Sequence, residues 1–234
     1  MPASRTAMIL AAGRGDRLRP LTDAVPKPLL EAGGKPLIVW QIEALARGGY
    51  RNLVINAAHR AQQLVEALGD GHAFDVDICW SIEPEPLETA GGIATALPLL
   101  PKGRVLIVSA DIATAFDYGA LAARADAIAA RDGTHVHLVM VPNPTFHPGG
   151  DFALEGDRLT TALKPRLTFG NIGLYDTALF GELPRGVKLK LLPLFLQWIA
   201  KGWISGERFD GPWANVGTAR DLAELDDRLR AQKM

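Results

Sequence analysis

The chain carries a single cysteine in 234 residues, which excludes an intramolecular disulfide and any thiolate metal cluster. Cys79, in "VDICW", is expected to be a small buried apolar side chain. Neither sign of charge dominates: 25 Lys and Arg face 26 Asp and Glu, for a formal charge of -1. No global field therefore exists to hold nucleic acid or an anionic membrane surface, and any anion binding must be local. Long apolar runs are also missing. The most apolar stretch, "KLKLLPLFLQWIAKG", is too short to span a membrane, contains Pro193, and is expected to pack in the core or against another subunit. No charged segment followed by an apolar one opens the chain, so the expected address is cytoplasmic. Five histidines, His59, His72, His135, His137 and His147, show no metal-ligand spacing. Repeats, low-complexity blocks and linkers are absent, which points to one domain over residues 1–234.

A hydrophobic fraction of 48% is ample for a core. "TAMILAAG", "NLVINAA", "VDICWSI", "RVLIVSAD" and "HVHLVMV" are short runs rich in Val and Ile bounded by polar or turn residues, and read as strands. "PLIVWQIEALARGG" and "RAQQLVEALGDG" place apolar residues at helical spacing and end in glycines. Strand alternating with helix predicts an α/β fold with a mostly parallel central sheet covered by helices on both faces. "DYGALAARADAIAARDG" is expected to be a further helix. The pattern then changes to strands joined by tight turns, "DFALEGDRLTTALK" and "TFGNIGLYD", which predicts a small β-containing subdomain laid against the first half. "TARDLAELDDRLRAQ" reads as a closing amphipathic helix with Thr218 as N-cap.

One stretch stands out: "MILAAGRGDRLRPLTDAVPKPLL", Met8 to Leu30. It follows a strand, and ligands of open α/β sheets collect at the carboxyl ends of strands. Gly13 and Gly15 are expected to adopt positive φ and expose successive N–H groups as an anion nest. Arg14, Arg17 and Arg19 add charge, and Lys27 is aimed by Pro26 and Pro28. The stretch is neither a Walker sequence, since no Gly-Lys-Ser/Thr follows, nor a dinucleotide fingerprint, since Leu18 stands where the third glycine belongs. Further along, Asp111 ends the strand "RVLIVSAD". A lone carboxylate there is suited to Mg2+, which takes few protein ligands, although a helix cap is the other use of such an Asp.

Leu-Ala-Ala-Gly-x-Gly-x-Arg-Leu followed by Pro-Lys-Pro-Leu resembles the sugar-1-phosphate nucleotidylyltransferases, and the likeness continues through "EPLETAGGI", "GDFAL" and "GERFDGPWANVGT". The resemblance implies attack of a sugar-1-phosphate oxygen on the α-phosphorus of a nucleoside triphosphate, with loss of pyrophosphate. It implies UTP and N-acetylmuramic acid α-1-phosphate as substrates, in peptidoglycan recycling. Residues 1–116 would then be mainly the nucleotide half, and 117–234 mainly the sugar half with the closing helix. Leu10, Ala11, Ala12, Gly13, Arg14 and Gly15 would hold base, ribose and phosphates. Arg17 would grip the departing pyrophosphate and Lys27 the transferring phosphoryl group. Glu83, Thr89, Gly91 and Gly92 fall in the family's second nucleotide loop. There Glu83 stands where many relatives carry a base-contacting glutamine, and the two glycines would admit the base.

The same frame implies Mg2+ held by Asp111 and by a second carboxylate in "PWANVGT", where this chain has Asn215. Gly150, Asp151, Lys164 and Asn171 would face the sugar; Lys164 precedes proline as in the family's Glu-Lys-Pro segment, but Leu163 replaces the glutamate. Asn171 beside Gly170 equally suits a turn with left-handed φ. Three other readings stay open. They are a mannose-1-phosphate guanylyltransferase, a cytidylyltransferase of a phosphorylated alcohol using an aromatic cage (Trp198, Trp203, Trp213 and Tyr175 are the aromatic residues weighed), and a nucleotide-binding homologue with weak turnover, which Asn215 would favour. The state expected is a monomer or small homo-oligomer.

Overall fold

The computed structural model describes residues 5–130 and 133–231. β1 (Arg5–Leu10), β2 (Tyr50–Ala57), β3 (Asp77–Ile82) and β4 (Arg104–Ser109) pair in parallel in the order β3-β2-β1-β4. The connections between them contain α1 (Leu37–Arg47), α2 (Ala61–Leu68) and α3 (Glu88–Ala96). After β4 come β5 (Ile112–Thr114), α4 (Tyr118–Ala129), β6 (Val136–Val141), the hairpin β7 (Ala153–Glu155) and β8 (Arg158–Thr160), and β9 (Thr168–Asp176). The chain closes with α5 (Leu191–Ala200), β10 (Ile204–Arg208), β11 (Trp213–Asn215) and α6 (Ala219–Ala231). One nine-stranded sheet runs β3-β2-β1-β4-β9-β6-β10-β8-β7. β9 is antiparallel to both neighbours, and the hairpin extends the far edge of the same sheet. β5 and β11 form a separate two-stranded ribbon.

Period-two alternation sorts each central strand between two cores. Ala7, Ile9, Leu53, Ile55, Leu106 and Val108 meet α1, α2 and α4 on one face. Met8, Val54, Val105 and Ile107 meet α3 and α5 on the other, with Phe195 and Trp198 filling the space. Burial on both faces is why these strands read as near-continuous apolar runs. α5 is therefore a core helix, although Leu192 and Leu196 stay exposed. Among the described residues no helix is long and apolar enough to cross a membrane. Leu18, Leu30, Val216 and Leu225 form a third, smaller cluster under α6.

Several local expectations need correction. Asp111 caps no helix: a strand follows it, and α4 is capped by Asp117, whose Oδ1 accepts from Ala120 N–H at 2.9 Å. That helix ends at Ala129; residues 131 and 132 of the expected segment lie outside those described. Cys79 is exposed, because edge strand β3 buries Ile78 on its covered face and turns Cys79 the other way. Gly91 and Gly92 lie inside α3, not in a turn before it. At the carboxyl end of the chain, the Thr218 hydroxyl accepts from Asp221 N–H at 3.2 Å while the Asp221 carboxylate accepts from Thr218 N–H at 2.7 Å, a reciprocal cap.

Candidate active site

The connections leave β1 in one direction, toward β2 and β3, and reach β4 on its other side, so the strand order reverses between β1 and β4. Such a reversal opens a crevice at the carboxyl ends of the two strands. The glycine-rich segment follows β1 there and Asp111 follows β4. Ala110 N–H to Leu10 O at 3.0 Å closes the floor between them. The segment lines a cavity of about 660 Å3 from Leu10 to Asp16, opposite Thr89 and Lys188. Of its glycines only Gly15 takes positive φ, at 70°. A Cβ on Gly15 would stand 3.0 Å from both Lys27 and Thr22, and the Thr22 hydroxyl donates to Gly15 O at 3.0 Å. Gly13 has ordinary φ, contrary to the expectation of a paired nest, and a Cβ on it would meet nothing within 4 Å.

The Lys27 ammonium pairs with the Asp111 carboxylate on the cavity wall. Beside it the β5–β11 ribbon sets Asn215 opposite Ile112, and Val216 N–H donates to Asp111 O at 2.9 Å. Asn215 Oδ1 is buried with no hydrogen-bond partner among the described residues. A bare amide oxygen on the strand paired beside the Asp111 backbone is, with that carboxylate, the kind of hard-oxygen set that Mg2+ accepts. The residues present therefore fit the ion, with phosphate oxygens and water left to complete its shell. Among the described residues no group of three or more His, Cys, Asp or Glu offers a self-sufficient metal site.

A second cavity, also about 660 Å3, adjoins the first and shares Leu10, Glu88, Thr89 and Ser109 with it. Arg17 faces this second space together with Asn215, its guanidinium lying against Gly217. Asp151 lines it and is fixed twice, by His147 Nε2 at 3.1 Å and by Phe169 N–H at 2.8 Å. Asn171 lines it as well; its left-handed φ of 57° arises at a register irregularity inside β9, not in a turn. Two expected residues stay out. Gly150 packs behind, where a Cβ would approach Asn143 Oδ1 to 2.7 Å, and Lys164 is exposed on the loop before β9 and lines neither cavity.

The second nucleotide segment is likewise split. Thr89 reaches both cavities. Glu83, Gly91 and Gly92 reach neither, and Glu83 is 2% exposed. Burial raises the Glu83 carboxyl above its ordinary range, against hydrogen bonds from Asn56 and Leu87 that pull it down. A Cβ on Gly91 would meet Val187 O at 2.2 Å, so this glycine lets α3 pack against residues 187–189.

Sequence reasoning missed Asn56, His147, Phe146, Lys188 and Lys190. Asn56 stands at the carboxyl end of an apolar strand and His147 four residues before Asp151, both readable signals, whereas Lys188 pairs with the distant Glu85. Trp213 and Tyr175 line the second cavity, whereas Trp198 is core and Trp203 stacks near His135.

This arrangement of strand-end cavity, basic turn and paired Lys27–Asp111 is that of an enzyme handling phosphates, and the chain belongs to the nucleotidyl transferase family, whose model matches residues 6–146. Over 97% of its length it is 42% identical to the N-acetylmuramate alpha-1-phosphate uridylyltransferase of Neisseria meningitidis serogroup B, covering 99% of that protein. The like-named protein of Caulobacter vibrioides is 32% identical over 97% of this chain and 98% of its own. The mannose-1-phosphate guanyltransferase of Schizosaccharomyces pombe is 41% identical over 92% of this chain but only 61% of its own length. A solved Bacillus anthracis protein, provisionally assigned as a glucose-1-phosphate thymidylyltransferase, superposes with TM-score 0.85 at 19% identity, covering 97% and 96% of the two chains. That last likeness is one of fold.

Proposed function

We propose that this nucleotidyltransferase transfers uridylyl from UTP to N-acetylmuramic acid α-1-phosphate, releasing pyrophosphate, as a cytoplasmic step of peptidoglycan recycling. Nucleotidyl transfer to a sugar 1-phosphate is the coarser activity that the family and both kinds of curated relative share. The finer reading rests on one observation: the Neisseria meningitidis uridylyltransferase is 42% identical over 97% of this chain, and the Caulobacter vibrioides one matches the same share at 32%.

The geometry supports a division of labour. The 10–16 segment, in the half 1–116, offers backbone N–H groups and Arg14 to the triphosphate, and no Cβ at Gly13 obstructs close approach. Half 117–234 supplies Asp151 and Asn171 for sugar hydroxyl or N-acetyl groups. The α-phosphorus belongs where the cavities meet, between Lys27 and Asn215. Transfer of this kind needs the nucleophile held in line and charge neutralised more than it needs covalent help. Lys27 is released from Asp111 toward the phosphoryl oxygens, and Arg17 is placed to receive the pyrophosphate as it departs. Asp111 and the bare Asn215 oxygen would hold Mg2+, which neutralises phosphate charge when bound.

Of the four aromatic residues of the cytidylyltransferase reading, Trp213 and Tyr175 line the second cavity and Trp198 and Trp203 do not. A matrix of UTP, GTP, CTP and dTTP against N-acetylmuramate, mannose and glucose 1-phosphates, with Mg2+ and a pyrophosphate readout, tests the assignment. UTP with N-acetylmuramate 1-phosphate is expected to lead. Failure of every pair removes the substrate assignment, and a lead for GTP with mannose 1-phosphate replaces it.

A further inference from the structure

From Asn56 on the wall of the proposed nucleotide cavity, a buried chain of hydrogen bonds joins segments that never touch in sequence. Asn56, the penultimate residue of β2, is 2% exposed and accepts from Ala11 N–H through Oδ1 at 2.8 Å. Its Nδ2 donates to Glu83 Oε1 at 2.6 Å, and Glu83 Oε2 accepts from Leu87 N–H at 3.1 Å. Leu87 O accepts from Leu189 N–H at 3.0 Å, which carries the chain to the wall bearing Lys188. Gly92 is the tolerance of the arrangement: a Cβ there would fall 2.7 Å from Asn56 Nδ2 and 3.0 Å from Glu83 Oε1.

We infer that Asn56 and Glu83 form a strut that sets the glycine-rich segment against the 87–89 segment, and that Glu83 acts on the nucleotide only by positioning. Every acceptor of the pair is in use. The Asn56 amide can satisfy Ala11 N–H and a carboxylate at once in just one orientation, so the strut fixes the first N–H of the phosphate-binding segment relative to Thr89. Glu83 is buried and lines neither cavity, and each of its oxygens already holds a donor, so base choice comes from other groups on the cavity wall.

This inference rests on the proposed nucleotide cavity, and its test separates the two. The chemistry provides an inverted pair. Glu83→Gln alone leaves an NH2 facing a donor, either Asn56 Nδ2 or Leu87 N–H. Asn56→Asp alone sets two buried carboxylates against each other. The double variant restores each contact with only the 56–83 bond reversed: Asp at 56 accepts from Ala11 N–H and from the Gln at 83, whose oxygen accepts from Leu87 N–H. Calorimetric titration of wild type and the three variants with UTP, GTP, CTP and dTTP, each with Mg2+, measures binding without need of turnover.

Each single variant is expected to weaken all triphosphates that bind by a common factor of about tenfold, and the double variant to recover to within about threefold of wild type. A change in the ratio between nucleotides in Glu83→Gln that persists in the double variant makes Glu83 a base-reading residue and overturns the strut. Unchanged affinity in folded single variants, with only a lower Tm, reduces the pair to a structural contact and overturns it as well. Wild type binding none of the four triphosphates removes the cavity assignment itself.

Discussion

Lys27→Met removes the ammonium that pairs with Asp111 on the wall of the first cavity. The side chains of Lys27 and Asp111 are 12% and 26% exposed, so neither bulk water nor a dry interior describes their surroundings. With an effective dielectric of about 20, a unit charge about 4 Å from a phosphoryl oxygen contributes roughly 4 kcal/mol. Asp111 competes for the same ammonium, which leaves about half of this, roughly 2 kcal/mol, for the transition state. The expected fall in kcat is about 30-fold, with about 1,000-fold as the upper bound if Asp111 is fully drawn to other cations. Asp111 stays anchored through its carbonyl to Val216 N–H at 2.9 Å, but leaving its largely shielded carboxylate unpaired is expected to cost about 1–3 kcal/mol of stability. Pyrophosphate release at saturating substrates, with a thermal melt as control, measures both. A folded variant retaining kcat within threefold of wild type would refute the placement of Lys27 against the transferring group.

Asn215→Asp adds a charge beside Asp111, and Mn2+ binding to the nucleotide-free protein, followed by electron paramagnetic resonance, is expected to tighten by at least about tenfold; unchanged affinity detaches residue 215 from the metal. Tyr118 donates to Gln41 Oε1 at 2.6 Å, and Gln41 Nε2 donates to Ile112 O at 2.7 Å. Tyr118→Phe orphans that buried oxygen at a cost of about 1–3 kcal/mol, lowering Tm by roughly 2–10 °C; an unchanged melt sinks this account of how β5 is held. Burial pulls the Glu207 carboxyl up, but the His137 ring nitrogen 3.6 Å away and two hydrogen bonds from Arg124 outweigh it and hold the group below its ordinary range. Its contribution is thus complete above the unfolded value and lost as pH falls through the folded one. The stability difference between wild type and Glu207→Gln in urea melts is expected to be largest above about pH 5 and to shrink below about pH 4; a difference independent of pH contradicts it.

The sheet was legible because its signal is local. "RVLIVSAD" and "NLVINAA" declare buried parallel strands by composition alone, and "TFGNIGLYD" coincides with β9 over Thr168–Asp176. The glycine-rich stretch announced a strand-end cavity through its place after a strand. What stayed hidden depends on contacts across the fold. Glu83 looked like a base reader because its strand-end position is right, but Asn56, 27 residues earlier, takes its oxygen. Gly91 and Gly92 looked like a loop because glycine seldom sits inside a helix, whereas here close packing against residues 187–189 and the Asn56–Glu83 pair demands it. Asp111 looked able to cap a helix until β11, more than a hundred residues later, was seen to pair with the strand that follows it. Cys79 was misjudged because an edge strand covers one face only.

The most direct test of the central claim is the ratio of kcat/KM for UTP with N-acetylmuramic acid α-1-phosphate to that for GTP with mannose 1-phosphate, measured on the same preparation with Mg2+. A ratio well above 100 is the expected result, given that a site built to hydrogen-bond one substrate commonly rejects another by about that factor or more. A ratio near or below one would contradict the assignment of this chain as the uridylyltransferase.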